Sequence, residues 1–340
     1  MKLLIVTQRV DKKDPILGFF HRWIEEFAKN CDQVTIIGQM VGQYDLPKNV
    51  CVESLWKEKG ALRITQIIRF WVFQWRLRKQ YDRVIVHMTP IWIVLGAPLW
   101  ILLRKKMYLW YEVKRGRWYL PIALRLVRQV FCATKQGLPR PSKKQCILGH
   151  GIDTEFFKPD PSKKDPKLIA TVGRITPVKN LDLVIEAFSH LPSDCRLEIA
   201  GGAFISSDKK EQERLESLIA GKRPACRQAG LEDRVSMGFK THSEVRDLLQ
   251  RTNLFLHASA GGLDKVVLEA AAAGCKIVSC CEAAAQILPD ECMATPETFS
   301  VRAKEMLNED GGITKILRGI VIKDHSLSDL IKNLCSKMGN

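Results

Sequence analysis

The sequence predicts an α/β protein with two doubly wound domains, each built on a parallel β-sheet. At 340 residues, the chain is long enough to form two hydrophobic cores. Apolar runs of strand length alternate with helix-length segments in both halves, and this alternation is typical of parallel sheets covered by helices. A Pro-, Lys- and Asp-rich piece at 158–167 separates the two series and is predicted to be a linker. A composition of 46% hydrophobic and 26% charged residues excludes the disordered and fibrous classes.

The first domain, 1–150, is predicted to open with the strand KLLIVTQ, a loop that runs to Gly18, and the helix FFHRWIEEFAKN. A second strand, QVTIIGQ, precedes a long helix at about 61–80. Three more strands follow, each separated from the next by a helical segment: RVIVHM, KMYLWYEV and QVFCAT.

One stretch of this domain, VIVHMTPIWIVLGAPLWILL at 84–103, is about as long as a membrane span. A histidine and two prolines interrupt it. Thr89 followed by Pro90 resembles a helix N-cap with proline at the first helical position. We therefore expect a buried strand at about 84–88 and a buried helix at about 91–103 rather than a membrane helix.

The second domain, 151–325, repeats the plan, and a closing helix is predicted at 326–340. Its predicted strands are PKLIATVG, CRLEIAGG, RVSMGFK, LFLHAS and KIVSCC. Its predicted helices include NLDLVIEAFSHL, HSEVRDLLQRT and the segment that ends in VVLEAAAAG. Two such domains should form a cleft that takes its ligand at the carboxyl ends of the strands.

Charge is distributed very unevenly along the chain. Residues 1–150 contain 27 Lys and Arg against 10 Asp and Glu, a net charge of +17. The chain totals of 53 and 37 leave 26 and 27 for the remainder, a net charge of −1. The basic half is therefore expected to meet an anionic partner, either phospholipid headgroups or nucleic acid, although no nucleic-acid-binding motif supports the second.

The 11 cysteines include no C-x-x-C pair and no His/Cys cluster at metal-ligand spacing. No signal peptide precedes MKLLIVTQ, so we expect reduced thiols in a cytoplasmic protein without zinc or a disulfide framework.

Two segments carry the strongest indication of chemistry. In VGRITPVKN (172–180), a strand ends at Gly173 and a helix begins near Asn180, so Arg174 and Lys179 flank a helix N-terminus. Backbone amides, the helix dipole and two cations together suit a diphosphate, although an ordinary solvated loop would look the same.

The second segment is SAGGLDKVVLEAAAAG (259–274), in which two glycines precede a helix that starts near Asp264. Amides of 262–265 would form an anion site there. Glu269 lies in an apolar helix, where a carboxylate needs a partner. A ribose diol would satisfy it, and so would a basic side chain or a backbone group.

These segments resemble family 4 of the GT-B glycosyltransferases, and the likeness extends over the whole chain. GRITPVKNLDLVIEAF is similar to that family's G-R-x(4)-K-N-x(3)-L-I-x-A-F segment. GHGIDTEFF resembles its crossover, N-G-V-D-x(3)-F, and LHASAGGLDKVVLEAAAAGCKIV its P-S-x-x-E-G-F-x(4)-L-E-A-M-A-x-G-x-P-V-V segment. The resemblance implies the GT-B fold, in which two Rossmann-like domains face each other across a cleft. The first of these binds the acceptor and the second binds a nucleotide sugar.

The resemblance implies a role for individual residues. Arg174 and Lys179 would hold the donor diphosphate and act as the catalytic residues, and Glu269 would bind the ribose. The 236–240 segment would lie near the base. The implied donor-binding set is Gly173, Arg174, Lys179, Gly238, Phe239, Lys240, Gly261, Gly262, Leu263, Asp264, Lys265 and Glu269. The implied acceptor-side set is Gly18, His21 and His87, although a lone histidine on an apolar strand is more often a packed one.

Two positions depart from the family pattern. The family has a second glutamate ahead of the one matched by Glu269, and its spacing places that residue at Gly261, which has no side chain. Asp264 would replace it or would cap the helix; we favour capping with some sugar contact. Where related chains carry a histidine at the end of a strand in the first domain, this chain has Glu112 and Val113.

The function implied is retaining transfer of a hexose-like sugar from a nucleotide-diphosphate sugar to a hydroxyl acceptor, a glycan or a lipid-linked precursor of the cell envelope. No D-x-D motif is present, so we expect no metal and no other cofactor. Trp and Phe alternate with Arg in ALRITQIIRFWVFQWRLRKQ, a pattern that suits peripheral contact with an anionic inner membrane face.

Three alternatives remain. One is another GT-B activity, such as a nucleotide-sugar epimerase or hydrolase. Another is a catalytically impaired GT-B subunit that binds a glycan or a partner transferase, which Gly261 and Val113 would explain. A dinucleotide dehydrogenase is disfavoured because no G-x-G-x-x-G follows the first strand of either domain.

Overall fold

The computed structural model describes residues 1–14, 16–113, 116–220 and 230–339. Contacts within the chain divide it into two units. The first unit consists of Met1–Gly151 and His325–Asn340, and the second is Ile152–Asp324.

The first unit contains a seven-stranded parallel sheet in the order β3-β2-β1-β4-β5-β6-β7. Its strands are β1 (Lys2–Val10), β2 (Gln33–Val41), β3 (Val50–Ser54), β4 (Arg83–His87), β5 (Lys106–Trp110), β6 (Gln129–Cys132) and β7 (Gln145–Ile147). Leu3 to Val6 in β1 are all fully buried, as expected of a strand at the centre of a parallel sheet that is covered on both faces. The chain reverses its direction across the sheet between β1 and β4, so the topological switch point lies there.

Within the residues that the structure describes, the α-helices of this unit are α1 (Phe20–Asn30), α2 (Arg63–Arg76), α3 (Ile91–Leu102), α4 (Leu120–Leu126) and α11 (Leu327–Gly339). The closing helix α11 buries Leu327, Leu330, Ile331, Leu334 and Met338 in the core formed with α1 and the sheet. Its last turn is also held by hydrogen bonds, because Arg83 Nε and the Tyr108 hydroxyl both donate to the Met338 carbonyl at 2.8 and 3.2 Å.

The apolar stretch at 84–103 forms β4 and α3, as predicted. Among the residues that the structure describes, no helix is both long and apolar enough to cross a membrane. The N-cap prediction at Thr89 is wrong. Pro90 occupies that position, and the Thr89 hydroxyl instead donates to the His87 carbonyl at 3.1 Å.

The second unit contains a five-stranded parallel sheet in the order β10-β9-β8-β11-β12. Its strands are β8 (Asp165–Val172), β9 (Arg196–Ala200), β10 (Val235–Gly238), β11 (Thr252–His257) and β12 (Lys276–Ser279). The helices are α5 (Leu181–Ser189), α6 (Ser206–Ile219), α7 (His242–Arg251), α8 (Lys265–Ala272), α9 (Phe299–Leu307) and α10 (Gly312–His325). Here the switch point lies between β8 and β11, and loops that follow these two strands meet at one edge.

The linker prediction for 158–167 is wrong. This piece belongs to the second unit, and its last residues begin β8. Lys164 explains the difference, because its ammonium donates to the carbonyls of Thr252 and Gly274 at 2.7 and 3.1 Å. The segment 158–167 is therefore a fixed connection within the second unit and not a linker between the two units.

Candidate active site

The loop between β8 and α5 carries three residues of the predicted site. Gly173 ends the strand region, and its amide donates to the Ala200 carbonyl at 3.0 Å. The Lys179 side chain extends back along this loop, so that a Cβ at Gly173 would lie 3.6 Å from Lys179 Cε. A residue in the left-handed conformation, Asn180 with φ 46°, then leads into α5.

The loop after β11 is attached to the loop after β8. The Ala260 amide donates to the Val178 carbonyl at 2.9 Å, and the Asn180 side chain donates to the Ala258 carbonyl at 3.0 Å. The two loops that follow the switch-point strands are therefore joined by hydrogen bonds on either side of Lys179.

Lys179 and Asp264 form the central contact of the site. The ammonium lies 2.6 and 2.5 Å from the two carboxylate oxygens and 3.5 Å from the Ser259 hydroxyl. Burial alone would raise the pKa of Asp264, but the hydrogen bond with His257 and the charge of Lys179 outweigh burial and lower that pKa. Asp264 is therefore ionised at neutral pH.

His257, the last residue of β11, continues this contact into the interior. Its Nε2 lies 3.0 Å from Asp264 Oδ2, and its Nδ1 lies 2.9 Å from the Ser279 hydroxyl. Only 3% of His257 is exposed, and Ser279 is fully buried. His257 is not among the site residues predicted from the sequence. The signal that could have found it is a polar residue at the carboxyl end of the apolar strand LFLHAS.

The capping prediction for Asp264 is wrong. Asp264 occupies the N-cap position of α8, but its side chain makes no hydrogen bond to the first amides of that helix. Its carboxylate instead faces Lys179 and His257. A charged partner and a buried imidazole replace the helix amides, because charge-assisted hydrogen bonds are the stronger ones.

Inside α8, Lys265 and Glu269 lie one turn apart, with Nζ 3.9 Å from Oε1. Burial lowers the pKa of Lys265 to about 8, although Glu269 and Asp153 act in the opposite direction. Burial also raises the pKa of Glu269, and the charge of Lys265 opposes this. A ribose diol, a basic side chain or a backbone group was expected to satisfy Glu269, and the structure supplies a basic side chain, that of Lys265.

Arg174 has a carboxylate neighbour of its own. Its Nε lies 3.5 Å from Asp208 Oδ2 in α6, and Asp208 is almost fully buried. Each of the two predicted diphosphate-binding cations is therefore matched by an aspartate.

The segment predicted to lie near the base, 236–240, consists of the end of β10 and the two residues after it. The Gly238 carbonyl accepts a hydrogen bond from the Gly201 amide at 2.9 Å, and Phe239 is half exposed. Phe239 meets Phe204 edge to face, with ring centroids 6.3 Å apart, and Lys240 pairs with Glu198 at 3.1 Å.

The glycines ahead of α8 differ in what surrounds them. A Cβ at Gly261 would meet only Ser259 Oγ at 3.4 Å and Val178 at 3.9 Å, so a side chain would fit. Gly262 is exposed, and Leu263 packs against the core of the second unit.

Part of the second unit matches a known protein family. Residues 152–282 match one family model, described as Glycosyl transferases group 1. The matched range contains the Lys179–Asp264 pair, Arg174 and Glu269. It contains none of the strands of the first sheet.

Two curated relatives align with part of the chain. The phosphatidylinositol N-acetylglucosaminyltransferase gpi3 subunit of Schizosaccharomyces pombe is 31% identical over 144 residues, which is 40% of this chain and 29% of that protein. A putative colanic acid biosynthesis glycosyltransferase, WcaL of Escherichia coli, is 35% identical over 159 residues, or 43% and 35% of the two chains. Each match spans about a third of the relative's length.

Solved structures match along the whole chain. HepE of Anabaena in complex with UDP has a TM-score of 0.75 at 16% identity, with both chains fully covered, and its complex with UDP-glucose has a TM-score of 0.73. A glycosyltransferase from Rickettsia africae has a TM-score of 0.73 at 13% identity and covers 99% of this chain and 97% of its own. The predicted fold class is confirmed: two parallel α/β sheets that match GT-B glycosyltransferases.

The predicted acceptor-side residues lie in the first unit, outside the range of the Glycosyl transferases group 1 model. Gly18 is sterically required, because a Cβ there would lie 2.5 Å from the Asp14 carbonyl oxygen. His21 has both ring nitrogens engaged: Nε2 accepts from the Asp45 amide at 3.1 Å, and Nδ1 lies 3.3 Å from Glu25.

His87 ends β4, next to the switch point of the first sheet. It is buried, stacks on Phe20 with ring centroids 4.1 Å apart, and places Nδ1 3.3 Å from the Thr7 hydroxyl. Glu112, which stands where related chains carry a histidine, accepts hydrogen bonds from the amides of Ala133 and Thr134 at 2.7 and 3.3 Å. Burial raises its pKa in spite of these bonds.

Proposed function

We propose that this chain is a glycosyltransferase that moves a sugar from a nucleoside-diphosphate sugar to a hydroxyl acceptor. One observation carries the proposal: the loops after β8 and β11 bring Lys179 and Asp264 together at the switch point of a doubly wound sheet. Ligands of such sheets bind at that edge. The family model covers this region, and HepE, which has a similar fold, binds UDP and UDP-glucose.

In this proposal the diphosphate lies along Lys179, Arg174 and the amides of 262–265. The N-terminus of α8 adds its dipole to the two cations. Glu269, whose pKa burial raises, gains two hydroxyl donors from the ribose and is held ionised by them. The base lies near Gly238, Phe239 and Lys240.

The carboxylates at the site provide a second way to recognise the donor, through the hydroxyl groups of its sugar. When the diphosphate takes Lys179, Asp264 is free to accept a hydrogen bond from a sugar hydroxyl. Asp264 thereby takes the role of the glutamate that the family 4 pattern has at position 261, where this chain has glycine. The site accordingly favours a ligand that combines an anion with hydroxyl donors, which is the chemistry of a sugar diphosphate.

The proposed reaction retains the configuration of the sugar, as in the family 4 enzymes that the sequence resembles, and it uses no metal ion. Negative charge develops on the departing diphosphate as the glycosidic bond opens. Lys179, Arg174 and the backbone amides stabilise that charge, and one preorganised donor of this kind contributes about 3–4 kcal/mol. The leaving phosphate accepts the proton of the attacking hydroxyl, so no second enzyme carboxylate is needed. The first unit, with Gly18 and His87, contributes the acceptor side.

We further propose that the first unit contacts an anionic membrane surface through one face of α2. Six apolar side chains there are each more than half exposed: Leu62, Ile64, Ile68, Trp71, Val72 and Trp75. From Ile64 onward each of them has another member of the set three or four residues away, so they form one stripe on the helix. Arg78 stacks on Trp75 at 4.2 Å, and the unit carries the basic excess of the chain. An apolar stripe beside cations suits anionic headgroups, where a lipid-linked acceptor would be found.

Vesicle flotation tests the membrane contact. The intact protein is expected to float with vesicles that contain phosphatidylglycerol and to stay behind with pure phosphatidylcholine. Replacing Ile64, Ile68 and Val72 by Ser should abolish flotation. The matched control replaces Val301 and Ile316 by Ser, because both are equally exposed but belong to the nearly neutral second unit. Equal flotation of both variants, or no preference for anionic lipid, contradicts the contact.

A catalytically impaired subunit that binds a glycan or a partner transferase is the second candidate. Three observations favour it: Lys179 and Arg174 are each matched by an aspartate, and position 261 has no carboxylate. Such a subunit would bind a donor or a glycan without turning it over.

The experiment that separates the two candidates combines binding with turnover. A thermal-shift screen of UDP-, GDP- and ADP-sugars should find one that raises the melting temperature of the protein, because a ligand of the folded state stabilises it. That sugar nucleotide is then incubated with the protein and a lipid or glycan acceptor extract. Release of nucleoside diphosphate together with a glycosylated product supports the transferase, binding without release supports the impaired subunit, and no stabilisation by any sugar nucleotide contradicts the proposed donor.

A further inference from the structure

His257 is placed to control the charge of the predicted donor site from within the protein. It lies at the carboxyl end of β11, between Asp264 on its Nε2 side and Ser279 on its Nδ1 side. Through Asp264 it is one contact away from Lys179. The four side chains form a continuous hydrogen-bonded chain from the interior to the loop after β8.

The proton positions in this series of hydrogen bonds follow from which groups can donate and which can accept. An ionised carboxylate is only an acceptor, so the bond to Asp264 requires a hydrogen on His257 Nε2. Nδ1 can then accept from the Ser279 hydroxyl, which leaves the imidazole neutral. Ser279 Oγ already accepts from the Cys281 amide at 3.1 Å and retains another lone pair. It can therefore also accept from a protonated Nδ1, and the imidazolium form loses no hydrogen bond.

In the part of the chain that the structure describes, the charged and titratable groups around His257 come from three places. Asp264 precedes α8, Lys179 precedes α5, and the Cys280 and Cys281 thiols follow β12, with the Cys280 amide donating to the His257 carbonyl. Burial raises the pKa of the Cys280 thiol to about 12, so that thiol carries no charge at neutral pH. Lys179 is thus the cation that balances Asp264 before a ligand binds.

We propose that His257 is a positioning residue, which holds the Asp264 carboxylate in place and takes up a proton at Nδ1 when an anionic donor engages Lys179. The proposal rests on the function proposed above. Once phosphate oxygens surround the ammonium, Asp264 needs another cation nearby, because a half-buried carboxylate without a partner is costly. A proton from solvent supplies it by converting His257 to imidazolium, and Ser279 changes from donor to acceptor. Asp264 then stays in position for the sugar.

The proposal has a measurable consequence, because donor binding is coupled to uptake of up to about one proton. The sign follows directly: the bound state holds more protons, so donor affinity increases as the pH falls. The largest slope is about tenfold in affinity per pH unit, which corresponds to the uptake of one whole proton.

Titration calorimetry in buffers of different ionisation enthalpy measures the proton count directly. The probe is UDP-glucose, or whichever sugar nucleotide the screen selects, because its phosphates are diesters that do not titrate between pH 6 and 8. His257→Gln keeps a donor for Asp264 but cannot be protonated. His190→Gln, an exposed histidine of the same unit, is the matched control.

Wild type and His190→Gln are expected to take up a proton on binding, and His257→Gln should bind with no uptake and with a flat pH profile. Equal proton uptake in all three proteins overturns the role of His257 and leaves the transferase proposal intact. If no sugar nucleotide binds wild type, the proposed function fails instead.

A ligand-free measurement decides the positioning role separately. In Lys179→Met the carboxylate loses its ammonium partner and keeps its hydrogen bond with His257, so Nδ1 of that ring should carry a proton in a larger fraction of molecules than in wild type at the same pH, as read from the ring nitrogen NMR signals. Equal Nδ1 protonation in Lys179→Met and wild type overturns the proposal, whatever the donor.

Discussion

Lys179 and Asp264 lie 85 residues apart in the sequence and form an ion pair in which the ammonium contacts both carboxylate oxygens, at 2.6 and 2.5 Å. The pair joins the loop after β8 to the loop after β11, the two strands beside the switch point. Because the pair neutralises the cation that would bind a diphosphate, a donor has to exchange with Asp264 rather than fill an empty positive site.

Asp264→Asn is expected to raise the affinity for UDP by about tenfold. A diphosphate would no longer compete with a carboxylate for Lys179, and a charge-assisted hydrogen bond of this kind is worth about 1.5–3 kcal/mol. UDP-glucose should gain less than UDP, because Asp264 also accepts a bond from the sugar. Calorimetry with both ligands checks the difference. Asp194→Asn, which removes the exposed partner of Lys167, is the control. A lower affinity for UDP in Asp264→Asn would show that the carboxylate does not compete.

Gly261→Glu is expected to fold normally and to strengthen sugar binding. A Cβ at this position meets nothing closer than 3.4 Å, and a new carboxylate would stand where the family 4 pattern that the sequence resembles has a glutamate. The melting temperature should stay within about 2 °C of wild type, since the change creates no clash. The affinity ratio of UDP-glucose to UDP should rise. Gly201→Ala is the steric contrast, because its Cβ would lie 2.1 Å from the Gly173 carbonyl oxygen. An unchanged ratio in Gly261→Glu contradicts the assignment of this position.

Lys265 is expected to lose its charge near pH 8, because burial lowers its pKa to about that value. Glu269→Gln should lower the pKa of Lys265 further, since the carboxylate acts to raise it. NMR of the lysine side chains, titrated from pH 6 to 11, measures this. The pKa of Lys167, which Asp194 raises, provides an internal reference.

The folded protein should also gain stability as the pH rises from about 8 to 10.5, because the unfolded chain then binds more protons at Lys265 than the folded chain does. A Lys265 pKa that stays near 10.5 contradicts its burial.

Leu334→Ala is expected to lower the free energy of unfolding of the first unit by about 2–4 kcal/mol. Leu334 is fully buried on α11, in the same core cluster as Trp23 and Trp110. Urea unfolding followed by tryptophan fluorescence reports on this unit. Lys332→Ala, an exposed change on the same helix, should alter stability by less than about 0.5 kcal/mol. Equal effects of the two changes would show that α11 does not stabilise the core.

Local sequence pattern predicted most of the regular structure. The strands β8, β9, β11 and β12 are short apolar runs between helical segments, and each is found where the pattern indicates. From the sequence we predict no strand at β3 or β7, because VCVES and QCI contain no apolar run. In the structure both are half-exposed strands at the edges of the sheet. The predicted helix at 61–80 is shorter in the structure, where α2 ends at Arg76 and a turn follows.

The sequence indicates which strand ends and helix starts carry the candidate residues, but it does not indicate the contacts between them. Gly173, Lys179 and Asp264 could be placed from strand ends and helix starts, which are local features. The ion pair between Lys179 and Asp264 could not, because it depends on two loops meeting across the switch point. Asp264 next to a helix start looked like a cap, and no local feature revealed that His257 and Lys179 would bind its carboxylate instead.

The decisive measurement for the proposed diphosphate site is the donor affinity of Lys179→Met, determined by calorimetry with the sugar nucleotide that the screen selects. We expect wild type to bind and Lys179→Met to bind at least about tenfold more weakly. Lys167→Met should bind like wild type, because Lys167 is an exposed lysine of the same unit that pairs with Asp194. Equal affinity of Lys179→Met and wild type would mean that the diphosphate lies elsewhere, and the proposed site would be wrong.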